Sequence, residues 1–173
     1  MFRLMLVPLL LASMGACGTP KESLIVGVAD LPDGSPLPAR FGEDGGDTSP
    51  ALTWSGAPVQ TRAFAVIVDD PDAPGGTWTH WVAYDLPVSK GLGEGLPRSA
   101  ELPGGGKQGL NSWGRLGWNG PAPPPGKVHH YVFRVFALSA PTVLAPGASA
   151  DALRAAMMGR VLAEGRWTGT YRR

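Results

Sequence analysis

Cysteine is almost absent from this 173-residue chain: Cys17 is the only one, so no internal disulfide can form. A chain of this length fills one domain with little room for a second, and it buries enough surface to fold without covalent staples. Neither sign of charge is in excess. Fifteen Lys+Arg against 14 Asp+Glu give a formal net charge of +1, and no basic face is evident, which leaves nucleic acid without an electrostatic handle. The apolar run Leu4 to Ala12 is too short for a comfortable membrane span. No G-x-S-x-G is present. Gly104-Gly105-Gly106-Lys107 lacks both the spacing and the Ser/Thr of a phosphate-binding P-loop, and reads as a flexible surface loop.

What is present begins with a leader. Arg3, the apolar run and the small residues Ser13 to Ala16 have the layout of a signal peptide over residues 1–16. Met14-Gly15-Ala16-Cys17 resembles the lipobox of bacterial lipoproteins, with Met14 where Leu is usual. The expectation is an exported protein of the cell envelope or periplasm, held to a membrane by a lipid on Cys17. Residues 17–23 would then be a polar tether and 24–173 the folded domain.

That domain reads as mainly β. Glycine (25) and proline (18) are abundant but interleaved with aromatic and β-branched residues, so they mark turns, not disorder. Leu24–Val28, Ala51–Trp54, Ala63–Val68, His80–Leu86, Tyr131–Leu138 and Thr168–Tyr171 are the strand candidates. Ala63–Val68 is continuously apolar, hence buried on both faces. One helix is predicted, from Ser149 as N-cap through Ala150 to Glu164, with Gly165 as its stop and Leu153, Met157 and Val161 as its core stripe.

Chemistry concentrates around the histidines. His80 follows the acidic, proline-rich turn Asp69-Asp70-Pro71-Asp72-Ala73-Pro74. His129 and His130 follow Gly120-Pro121-Ala122-Pro123-Pro124-Pro125-Gly126. Loops at the ends of rigid strands are where sites sit, and proline fixes their backbone. Strand alternation puts His129 and Tyr131 on one face and His130 on the other, at the surface. Asp70 or Asp72 beside His80 and His129 would favour imidazolium, and Tyr131 would add a hydroxyl donor, making an anion site. The same residue types could ligate zinc or iron, but no H-E-x-x-H or H-x-x-x-H pair supports that. The acidic turn by itself is also an ordinary Asp-Pro turn.

In order along the chain, Ser49-Pro50-Ala51-Leu52-Thr53-Trp54, Asp70-Pro71-Asp72-Ala73-Pro74, His80-Trp81, Gly120-Pro121-x-Pro123-Pro124-x-Gly126, His129-x-Tyr131-x-Phe133 and Gly169-Thr170-Tyr171 resemble the phosphatidylethanolamine-binding family, and within it the bacterial Raf-kinase-inhibitor-like branch. The resemblance covers about residues 24 to 173. It implies a β-sandwich-like fold with a few peripheral helices, one of them near the C-terminus, and a small pocket lined by Asp70, Asp72, His80, Pro121, His129 and Tyr131. Relatives accept phosphate-like or other small anions there; Gly120 and Pro123 join the set from the same proline loop. Two positions depart from the family pattern: His130 stands where Arg is usual and Trp118 where Tyr is common.

The functional expectation is a binding module for phosphate, carboxylate or a phospholipid headgroup, with no cofactor, metal or nucleic acid and with membrane attachment through its N-terminus. Nothing in the sequence encodes a kinase-binding surface. An envelope interaction or protease-inhibitor module is the alternative reading. A hydrolase or lyase using His129 as base is a third, and it lacks a visible nucleophile.

Overall fold

The computed structural model describes residues 22–173; the expected leader and Cys17 lie outside the described residues. The strands in chain order are β1 (Glu22–Ser23), β2 (Ile25–Val28), β3 (Leu52–Ser55), β4 (Ala63–Asp70), β5 (Trp78–Leu86), β6 (Gly91–Leu92), β7 (Lys107–Gln108), β8 (Val128–Leu138) and β9 (Val161–Arg172). Two single-turn 3-10 helices, Ala39–Phe41 and Glu43–Gly45, precede β3, and one α-helix, α1 (Ala150–Met157), precedes β9. The larger sheet has the order β1-β9-β8-β4-β5-β7 and the smaller β2-β3-β6. This is the mainly β, sandwich-like architecture with a helix near the C-terminus that the sequence implies.

β4 is the central plank because its side chains are apolar on both faces. Phe64, Val66 and Val68 pack into the layer between the sheets with Trp81, Trp118, Phe133 and Trp167. Ala63, Ala65 and Ile67 point the other way, where Leu153 and Met157 of α1 cover them. The helix starts as expected, with the Ser149 hydroxyl accepting the Ala152 N–H at 3.2 Å. It ends at Met157, earlier than expected. The stretch from Val161 on, which the sequence assigns to the helix up to Glu164, is instead the start of β9, paired along its length with β8 (Ala163 with Ala137, Gly165 with Val135). Gly165 is therefore not a helix stop. Its Cα is pressed against the Leu24 carbonyl, where an added Cβ would sit 2.4 Å from that oxygen. Tertiary pairing has overridden a helix-compatible sequence.

The domain also starts earlier than expected. Glu22 and Ser23 form a parallel pair with Ala163 and Glu164, so the last two residues of the expected tether belong to the sheet.

Candidate functional site

At one end of the large sheet a cavity of about 290 Å³ opens between the turn after β4, the start of β5 and the proline loop before β8. Asp70, His80, Trp78, Trp113, His129 and Tyr131 form its wall, with Ala73, Pro74, Gly75, Ala122, Pro123 and Pro124 around them. Each side chain arrives there for a local reason.

Asp70 ends β4 on the face opposite Asp69. Asp69 turns outward, buried, and holds Arg134, Arg154 and Thr79 at 3.0, 2.8 and 2.7 Å. Asp70 turns inward. One of its oxygens accepts the Asp72 N–H at 2.8 Å, closing the turn, and the other accepts the proton of His129 Nδ1 at 2.8 Å. The acidic stretch is thus an ordinary Asp-Pro turn and a cavity wall at once.

His80 reaches the cavity through an irregularity. The β4–β5 register shifts between Val68 with Trp81 and Asp69 with Thr79. Regular alternation would send His80 and Trp81 to opposite faces. The bulge lets Trp81 enter the core while the His80 ring meets Tyr131 edge-on at 5.1 Å and Trp113 at 4.9 Å. His80 Nδ1 donates to the Asn119 carbonyl at 2.6 Å, and the Asn119 N–H returns a bond to the His80 carbonyl at 3.0 Å. Asn119 is itself held by the Asn111 amide. Burial, outweighing that carbonyl and the charge of Asp70, pulls the His80 imidazole below its ordinary value, so the ring is neutral at pH 7. The expectation of an Asp-paired His80 imidazolium is corrected here: its partner is a carbonyl.

Asp72 is corrected as well. It lies outside the cavity, half-exposed, and its carboxylate accepts both the backbone N–H and the ring Nδ1 of His130, at 2.8 and 2.7 Å. Those bonds, the ring's first, hold the Asp72 carboxyl below its ordinary value. His130 is on the surface, as alternation predicts, and it pins the acidic turn to the strand that carries His129.

His129 and Tyr131 share the inward face of β8, both buried. The Tyr131 hydroxyl makes no hydrogen bond of good geometry, although the Asp70 carboxylate and the Ala122 backbone lie beside it. Burial first, then the neighbouring Asp70 charge, push it far above the usual phenol range, so it stays a proton donor at every working pH.

Of the residues singled out in the sequence, Asp70, His80, Pro123, His129 and Tyr131 come together in the wall, while Asp72, Gly120 and Pro121 do not line it. Gly120 and Pro121 hold the wall from behind. Gly120 N–H donates to Asp47 Oδ1 at 2.6 Å, and the Pro121 carbonyl accepts from Glu43 N–H at 3.0 Å. Sequence reasoning missed Trp78 and Trp113. They stack edge-to-face at 5.4 Å, and Trp78 Nε1 is buried without a partner. The pair Trp78-x-His80 beside the acidic turn was the available signal. Among the described residues no group of three or more His, Cys, Asp and Glu side chains is placed to hold a metal ion.

Comparison with known proteins accords with this geometry. The UPF0098 protein of Methanothermobacter thermautotrophicus is 47% identical over 138 residues, covering 79% of this chain and 91% of that one. LppC of Mycobacterium tuberculosis, which is named a lipoprotein, is 35% identical over 151 residues, covering 87% and 73%. The crystal structure of YbcL from E. coli, described as a member of the mammalian PEBP family, superposes with a TM-score of 0.79 at 33% identity, covering 89% of this chain and 99% of the other. A family model described as phosphatidylethanolamine-binding protein matches residues 28–172, and with nearly the whole described domain inside that match, this chain belongs to the phosphatidylethanolamine-binding protein family.

Proposed function

We propose that the cavity binds a small anion (phosphate, a carboxylate or a phosphate-bearing headgroup) on a protein held at the cell envelope. The observation that carries this reading is that two buried donors of the cavity wall, Trp78 Nε1 and the Tyr131 hydroxyl, make no well-formed hydrogen bond in the protein. Leaving such a group unsatisfied costs about 1–3 kcal/mol, and buried polar groups nearly always have a partner. An oxygen of a bound ligand is a partner of the right kind. The cavity, at about 290 Å³, is at the small end of ligand sites, and its proline and tryptophan rim is rigid, which lowers the ordering cost of binding.

Calorimetric titration with inorganic phosphate or phosphoethanolamine should show one saturable site. Tyr131→Phe should weaken binding by about tenfold, equivalent to one hydrogen bond of about 1.4 kcal/mol. The absence of saturable binding, or an unaffected Phe variant, would speak against the reading.

The envelope part rests on the leader and Cys17 in the sequence and on the naming of LppC. Among the described residues no helix is long and apolar enough to cross a membrane, so attachment would fall to the lipid. In cell fractions Cys17→Ala should move the protein from the membrane pellet to the soluble fraction; unchanged partitioning would remove the lipoprotein reading.

A further inference from the structure

Three properties of the cavity narrow its ligand further, on the premise that it is an anion site. The first is charge. No Lys or Arg lines it. The ionisable wall groups are Asp70 from β4, His80 from β5, and His129 and Tyr131 from β8; the turn at 73–75, Trp78, Trp113 and the loop at 122–124 contribute none. His130 and Asp72, at the rim, are bonded to each other. Asp70 is the only carboxylate of the lining and no Lys or Arg stands against it, so a dianion meets about twice the repulsion that a monoanion does.

The second is the supply of donors. Among the described residues only two buried side-chain polar atoms lack a partner, Trp78 Nε1 and Tyr131 Oη, and both belong to residues of this wall. Together they offer two N–H or O–H groups to ligand oxygens.

The third is an acceptor. The Asn119 carbonyl can only accept, so the proton of the His80 ring sits on Nδ1 and its Nε2 carries a lone pair. That Nε2 makes no hydrogen bond in the protein. A lone pair facing a fully ionised oxygen is repulsive; facing an O–H it makes a bond.

We infer that the cavity selects phosphomonoesters in their singly charged, proton-bearing form, with two oxygens accepting from Trp78 and Tyr131 and the acid O–H donating to the His80 Nε2. The dianion fails on charge. A phosphodiester such as a lipid headgroup has the right charge but no O–H.

The test is calorimetric titration of the intact protein with methyl phosphate, dimethyl phosphate and difluoromethylphosphonate between pH 5 and 8.5. At pH 5.5 methyl phosphate should bind at least about tenfold tighter than dimethyl phosphate. Its affinity should fall with its own second ionisation, near pH 6, and the midpoint should move to lower pH for the more acidic difluoromethylphosphonate. A midpoint shared by the two acids would mean that a protein group titrates and would overturn the inference. Dimethyl phosphate binding as tightly as methyl phosphate would overturn it too, while leaving the anion site standing. No binding of any probe at any pH would remove the anion site, and this inference with it.

Discussion

Replacing Trp81 by Ala should lower the stability of the domain by about 4–8 kcal/mol, the largest loss expected from a single side chain. Trp81 is fully buried between the sheets. It packs edge-on against Trp118 at 6.0 Å and sits opposite Val68 on β4. Removing the indole creates a cavity worth about 3–5 kcal/mol by itself. The indole also has a polar task. Its Nε1 donates to Gln108 Oε1 at 2.9 Å, and Gln108 uses its own amide to hold the Pro97 and Ser99 carbonyls at 2.7 and 2.8 Å. Without Trp81 the buried Gln108 oxygen has no donor, which adds about 1–3 kcal/mol. Urea or thermal unfolding followed by circular dichroism measures the sum. At about 2–4 °C per kcal/mol for a chain of this size, the melting midpoint should fall by roughly 8–32 °C. Trp81→Phe, which keeps much of the packing and loses the hydrogen bond, should fall between. Val59→Ala, at a site 86% exposed, should change stability by less than about 0.5 kcal/mol. A Trp81→Ala loss no greater than that of Val59→Ala would refute this assignment of the core.

The same residue shows what the sequence could and could not reveal. The apolar continuity of Ala63–Val68 identified the central strand, because burial on both faces leaves no polar positions to confuse the pattern. Alternation on β8 separated His129 and Tyr131 from His130, because that strand is regular through them. On β5 the same rule would have sent His80 and Trp81 to opposite faces. A bulge intervenes, and a bulge leaves no trace in residue types. The pairing of Asp72 with His130 was illegible for a related reason. Two acidic residues in one turn face two adjacent histidines, and residue types alone do not say which meets which. Trp113 joins the site from a loop more than thirty residues beyond Trp78, a distance over which no periodicity carries information. The helix end failed because Val161 to Glu164 suits either state, and the edge of β8 supplied the partner.

Gly120 makes the case for residues that shape a site without touching a ligand. Its φ is not in the left-handed region, so its value lies in the space a Cβ would take. That Cβ would stand 2.3 Å from the Phe41 carbonyl oxygen, 2.7 Å from the Glu43 nitrogen and 2.7 Å from the Gly42 carbonyl carbon. All three are backbone atoms, so no rotamer change relieves the clash; the 3-10 turns and the proline loop have to separate. Separation breaks the bonds that Gly120 N–H makes to Asp47 and that Trp118 Nε1 makes to the Phe41 carbonyl at 3.2 Å. Overpacking of this kind costs about 1–3 kcal/mol and sometimes more, and each lost bond adds about 1 kcal/mol. Gly120→Ala should therefore destabilise the domain by about 3–5 kcal/mol. It should also shift Ala122, Pro123 and Pro124 in the cavity wall, weakening phosphate binding at temperatures where the variant remains folded. Gly126→Ala, in the same loop, is the control. Nothing lies within 4 Å of its added Cβ, and only the positive φ of 78° penalises it, so it should cost about 1 kcal/mol and leave affinity unchanged. Equal losses at the two glycines would mean that backbone freedom, and not the contact with the Phe41 turn, sets the shape of this wall.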